Sequence, residues 1–356
     1  MRVTIKQEEN MKKRIFSLAL VLVLILALGV GCAPKEPDGG GKAKRVALIT
    51  DLGGINDESF NQSAWNGMEK LKADGYEISY VESEKEADYA VNFTNKTEEG
   101  NDMIWGIGFL MEESVKEASK EHKDQMFGIV DVGLPDGEYP NLVGAMFNSE
   151  ESSFLVGYIA GHVTETDHVG FVLGMEGDVM FRFQYGYLAG VAYAAHELGK
   201  DIRVDYVTID TFGDTAKGKA TATKMFSDGA DIVYHAAGQA GSGCITAAKE
   251  MGKWAIGVDL DQNELAPDNV LTSALKNVDQ AVYLLSKRFL EGEDVGGKTF
   301  FFGLKEGGVG IAPSSDKHVP KDILDKTAEV EKKIIDGDIA VPITAAEFET
   351  FKSKLG

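Results

Sequence analysis

Residues 45–67 read RVALITDLGGINDESFNQSAWNG. The apolar run 45–50 is short and β-branched, as a buried strand requires. Asp51 stands where that strand stops, and Gly53 and Gly54 allow a tight turn. Asp57 or Ser59 is placed to cap a helix, with Glu58 in its first turn. Phe60 and Asn61 begin the helix on the same side as the strand end. Strand, polar turn and helix in so few residues is the opening of a β/α unit.

The same unit recurs along the chain. Apolar runs lie at 102–108, 126–132, 142–147, 168–174, 203–209, 231–237, 254–259 and 270–276. Helical stretches at 59–73, 111–121, 149–165, 181–198, 214–228 and 243–251 separate most of them. Short strands alternating with longer helices predict parallel sheets covered on both faces. Such units could close one barrel or form two open sheets. The pattern restarts after Phe147. After VLTSALK (270–276) come a helix and a further strand-like run, FFFGLK (300–305), as though the chain crosses back. These features favour an α/β protein of two doubly wound parallel-sheet lobes.

The 356 residues are enough for about two domains, and 44% hydrophobic with 26% charged is globular composition. Residues 12–14 are basic, residues 15–30 are an uncharged apolar run, and Gly31 and Cys32 follow. This is the pattern of a secretory leader over 1–31, the apolar run being short for a membrane span. Cys32 after small residues resembles a bacterial lipoprotein site, where the new N-terminal cysteine carries lipid. The tether 32–44 is rich in Pro, Gly and Lys. The chain is therefore expected to be lipid-anchored on the outer face of a cell membrane. The leader holds five basic and two acidic residues, and without it the net charge moves from −21 to −24. So acidic a remainder, with no dense basic stretch, excludes nucleic acid and disfavours anionic ligands.

The polar strand ends carry the candidate chemistry. Asp51 and Asn61 offer an acceptor and a mixed donor/acceptor, and Phe60 a flat apolar face, which suits a planar, polar-edged molecule such as a nucleobase. Asp131 closes one strand, Asp259 another and Lys276 a third. Carboxylates in a dry mouth accept hydrogen bonds from sugar hydroxyls, and a lysine beside them keeps them ionised. Of Phe181, Phe183 and Tyr185, not all can share one helical face. One can reach a ligand while the others pack in the core.

Other motifs carry no chemistry. GDTAKGKA (213–220) falls one residue short of a phosphate-binding P-loop, because Ala220 replaces the Mg²⁺-holding hydroxyl. GQAGSG (238–243) is not a dinucleotide fingerprint, although its amides can face a ligand. No zinc-protease or serine-hydrolase motif occurs. His235 and Cys244 read as core residues. No cofactor and no metal site is expected.

Five ordered stretches over residues 45–312 resemble the basic membrane protein family: TDLGGINDESFNQSAWNG, F-x-x-GYLAG (183–190), HAAGQAGSGCITAA (235–248), GVDLDQ (257–262) and SALKN (273–277). These are lipoproteins similar to purine nucleoside receptor A, the solute-binding subunits of nucleoside ABC importers. The resemblance implies a type I periplasmic-binding-protein fold whose two lobes, joined by three crossings, close on the ligand. The lobes would be 45–150 plus 276–312 and 151–275 plus 313–356. It also implies a base sandwiched by Phe60 and Phe183, with Asp51 and Asn61 at its edge. Asp131, Asp259 and Lys276 would hold the ribose, and Gly238 would line the pocket. Gln239 and Ala240 stand where the family more often has Gly and Thr. The expected protein is a monomeric, non-enzymatic receptor for adenosine, guanosine or inosine, with ABC permease and ATPase partners. A sugar or signal-molecule receptor of the same fold and a nucleoside hydrolase are the rivals. The second needs a metal cluster or general acid that the sequence does not offer.

Overall fold

The computed structural model describes residues 43–355. The expected leader, Cys32 and nearly all of the tether lie outside the described residues. The chain opens with β1 (Arg45–Ile49), α1 (Phe60–Ala73), β2 (Glu77–Val81), α2 (Asp88–Glu98) and β3 (Met103–Ile107). Then come α3 (Glu112–Glu121), β4 (Met126–Val130) and β5 (Leu142–Phe147). A second series follows: α4 (Ser149–Val163), β6 (His168–Leu173), α5 (Asp178–Leu198), β7 (Arg203–Thr208), α6 (Thr215–Ser227), β8 (Ile232–Ala236), α7 (Ala240–Met251), β9 (Trp254–Asp259) and β10 (Val270–Lys276). The chain ends with α8 (Val278–Leu290), β11 (Lys298–Phe302), β12 (Val309–Ile311), α9 (Lys321–Ile335) and α10 (Ala345–Leu355).

Two six-stranded sheets result, β11-β5-β4-β3-β1-β2 and β12-β10-β9-β8-β6-β7. All pairings are parallel except β10 with β12. The two orders are the same if β1–β5 are matched to β6–β10 and β11 to β12. The central strands β3 and β4 are buried along their whole length. This is why they read as continuous apolar runs. The chain passes between the sheets three times: after Phe147, after Lys276 and between Phe302 and Val309. The segment 276–312 therefore supplies β11 to the first sheet and β12 to the second.

Five elements escape the sequence pattern: β2, α2, β12, α9 and α10. β2 is an edge strand whose residues are exposed or half-buried, so EISYV shows no continuous apolar run. α2 buries Tyr89, Asn92, Phe93 and Lys96, two of them polar, so its inner face shows no apolar stripe, and it has no side-chain cap.

α4 and α5 pack with their main chains nearly touching. A Cβ at Gly190 would lie 2.1 Å from the Phe154 carbonyl oxygen. One at Gly186 would lie 2.4 Å from that of Glu150, and one at Gly157 2.4 Å from that of Tyr187. The glycines of the GYLAG stretch are thus explained by helix packing and not by ligand contact.

Candidate functional site

The C-terminal ends of β1, β3 and β4 in one sheet and of β8, β9 and β10 in the other border a single cleft. About 570 Å³ of space lies between its lining atoms, including the open mouth. Asp51, Phe60, Asn61, Asp131, Phe183, Gly238, Asp259 and Lys276 all line it. The sequence reading missed Phe109, Leu110, Met180 and Phe212, which also line it. Phe109 and Phe212 come from different lobes and meet edge to face, ring centroids 6.4 Å apart. Nothing local in the sequence pairs residues so far apart.

The turn after β1 is built around two carboxylates. Asp57 accepts the backbone N–H groups of Ser59 at 2.9 Å, Asn61 at 2.9 Å and Gln62 at 3.0 Å. It is therefore the cap of α1, and the hydroxyl of Ser59 is released for another contact. Asp51 Oδ1 accepts from the Gly53 N–H at 3.1 Å and from Asn61 Nδ2 at 2.7 Å. Asn61 Nδ2 also donates to Asp57 Oδ2 at 3.2 Å. With both amide hydrogens given to carboxylates, Asn61 has only an acceptor left, and its buried Oδ1 has no partner among the described residues.

Asp131 follows β4 and Asp259 ends β9, the matched strands of the two sheets. Both have positive φ, 67° and 64°. A non-glycine residue there is strained, at a cost of order 1–3 kcal/mol, and such residues cluster at functional sites. Gly238, at φ 52°, makes the turn after β8 without that cost. Lys276 is 2% exposed and forms an ion pair with Asp131 across the cleft. Its Nζ lies 4.6 Å from the ring centroid of Phe60, 5.3 Å from Phe147 and 5.5 Å from Phe183. Rings from both lobes therefore converge on one point. Phe181 and Tyr185 pack against each other on the outer side, Tyr185 also against Phe348.

Each of three carboxylates gives one oxygen to a protein donor. Asp51 gives Oδ1 to Gly53 and Asn61, Asp131 gives Oδ2 to Lys276, and Asp259 gives Oδ2 to the Ser59 hydroxyl. No donor among the described residues reaches the second oxygen of any of them. Burial raises the Asp51 carboxyl to about 6, against the hydrogen bonds from Asn61 and Gly53. Burial raises Asp259 to about 7, against the charge of Lys276 and the Ser59 hydroxyl, with Asp57 and Asp131 adding to the rise. Asp57 is also raised by burial, its three backbone donors opposing. Lys276 is the only cation among the lining residues. His235 and Cys244 are buried outside the lining, as the sequence suggests. Burial lowers His235 to about 4, so its ring is neutral at pH 7. No group of three or more metal-ligating side chains occurs among the described residues, and no described helix is long and apolar enough to cross a membrane.

Residues 43–345 match a protein family described as ABC transporter substrate-binding protein, PnrA-like. The chain is 39% identical to basic membrane protein A of Borreliella afzelii, over 86% of this chain and 94% of that protein. It is 34% identical to the ABC transporter nucleoside-binding protein BmpA of Lactococcus lactis, over 93% of this chain and 99% of that one. Among solved structures, an ABC transporter solute-binding protein from Aeropyrum pernix superposes with a TM-score of 0.79 at 26% identity, covering 88% of this chain and 97% of that one. The paired sheets, the shared cleft and these similarities agree, and the chain belongs to the PnrA-like ABC transporter substrate-binding proteins.

Proposed function

We propose that the protein binds a purine nucleoside (adenosine, guanosine or inosine) in the cleft and passes it unaltered to the permease and ATPase of an ABC importer. It would act as a monomer on the extracytoplasmic face of the cell membrane, held by lipid on Cys32. The observation that carries this reading is the orientation of Asn61. Two carboxylates take its amide hydrogens, so its buried Oδ1 is an acceptor without a donor, and Asp51, a lining residue, keeps its second oxygen free for N–H donors in the cleft. A purine edge supplies them, and leaving them unmatched is costly. Phe60 and Phe183 offer flat faces from opposite lobes. The second oxygens of Asp131 and Asp259 suit neighbouring ribose hydroxyls. The nucleoside-binding name of the Lactococcus lactis relative points the same way. Ligand contacts drawn from both lobes favour the closed form by differential affinity.

Mass spectrometry of solute extracted from the purified protein tests the class. A purine nucleoside is the expected result, and a free pentose would defeat the reading. By calorimetry with guanosine, Phe60→Ala and Asp259→Ala should each weaken binding more than about tenfold, equivalent to ~1.4 kcal/mol. Unchanged affinity would remove that residue from the site.

The raised carboxyls predict a pH dependence. Asp51 near 6 and Asp259 near 7 take up protons as the pH falls from 8 to 5, so two acceptors are lost. Guanosine affinity at pH 5 should be lower by about tenfold or more. Both groups hold protons more tightly folded than unfolded. Their contribution to folding stability is thus complete below the ordinary carboxyl value, and it is lost as the pH rises through 6 to 7. Weakened binding at pH 5 should therefore not be accompanied by destabilisation from these two groups. Flat affinity from pH 5 to 8 would contradict their role as acceptors.

A further inference from the structure

We propose that Ser59 and Gln262, neither of which lines the cleft, are positioning residues that latch the two lobes through contacts between protein groups alone. The Ser59 hydroxyl, in the first lobe, donates to Asp259 Oδ2 in the second, a pair 200 residues apart in sequence. Gln262 Nε2, in the second lobe, donates to the Glu58 carbonyl oxygen in the first at 2.9 Å. The two bonds run in opposite senses between adjacent residues of one lobe and a single turn of the other.

Each donor is fixed within its own lobe before it reaches across. The Ser59 N–H is held by Asp57 at 2.9 Å. Gln262 Oε1 accepts the Val258 N–H at 2.9 Å, and the Gln262 N–H donates to the Ser273 hydroxyl at 3.2 Å. A preorganised donor loses little conformational freedom when the bond forms. Both acceptors sit on strained backbone, Glu58 and Asp259 having positive φ, 56° and 64°. Ser59, Gln262 and Asp259 are buried, so the Ser59–Asp259 bond is shielded from water while it lasts, and the Gln262–Glu58 bond is half-buried.

The latch acts on the ligand site through Asp259. By taking Oδ2 from the opposite lobe, Ser59 sets where Oδ1 stands. It also ties a correctly placed Oδ1 to the closed arrangement. Apparent affinity then scales with the fraction of molecules in that arrangement. This coupling rests on the geometry of the lobes and does not depend on which solute occupies the cleft.

Pulsed electron paramagnetic resonance on the full chain tests it, with spin labels at Val91→Cys and Tyr206→Cys, exposed positions one on each lobe. Ser59→Ala removes one bond of the latch. Gln262→Glu keeps the acceptor for Val258 and removes the donor to Glu58. The two variants break different bonds, so if one fails to fold the other still decides. Without added nucleoside, each should move the interlobe distance distribution to longer values than the parent, and both together further still. Guanosine affinity should fall by about tenfold in each. Distributions that superimpose on the parent in the folded variants would overturn the latch. A parent that does not bind guanosine would overturn the nucleoside reading and leave the distance measurement intact.

Discussion

Replacing Lys276 by methionine should lower the unfolding free energy by about 3–5 kcal/mol and abolish guanosine binding in calorimetry. The ammonium is 2% exposed, pairs with Asp131 and is the largest influence opposing the burial of Asp259. Methionine keeps the packing against Phe60, Phe147 and Phe183 but removes the charge. Two buried carboxylates are then left without a counter-ion, and breaking a buried pair costs far more than the pair contributes. The Asp259 carboxyl would rise further and lose its acceptor role at neutral pH. Adding Asp131→Asn to Lys276→Met should recover much of the stability, because one stranded charge is removed, but not the binding. Urea denaturation of the single and double variants reads the difference. An unchanged midpoint in Lys276→Met would show that the desolvation of the ammonium cancels what it gains from its partners.

Gly190→Ala should destabilise the protein by about 3 kcal/mol, at the upper end of ordinary overpacking. Two effects compete there. Inside a helix, alanine is favoured over glycine by about 1 kcal/mol. Against that, the new methyl carbon would stand 2.1 Å from the Phe154 carbonyl oxygen and 2.8 Å from the Tyr158 nitrogen. Both obstacles are main-chain atoms of α4, which cannot rotate aside as a side chain would. α5 must therefore move bodily, and it carries Phe183. Loss of guanosine affinity should accompany the lowered denaturation midpoint. A stabilised Gly190→Ala would show that the helices separate without penalty.

The fold was legible where burial is complete. Parallel strands covered on both faces leave long apolar runs, and the helices between them are long enough to register. β2 was invisible because its residues are exposed or half-buried and EISYV leaves no apolar run, and α2 because half of the face it buries is polar, Asn92 and Lys96 beside Tyr89 and Phe93. In the site, the strand-end residues Asp51, Asp131, Asp259 and Lys276 were legible because sheet topology brings such ends together. The three-residue reach of Asp57 over the start of α1 is a local signal, and its capping role was foreseen as one of two alternatives. Ser59 was read only as the other possible cap, since nothing near it in sequence announces Asp259. Gln262 lay within a quoted stretch, but its bond to the Glu58 carbonyl depends wholly on how the lobes meet.

Lys276 is the last residue of β10, and its main chain runs directly into one of the three passages between the sheets. A point on a pivot travels least when two bodies swing about it. Any opening of the cleft about these passages therefore displaces the remote rims most and this ammonium least. Beside the pivot, the site's lone positive charge parts from Asp131 in the opposite lobe by less than a charge on the rim would. Admitting or releasing a solute need not expose an unbalanced charge, and the motion can remain shallow in energy although the gap is lined with acid.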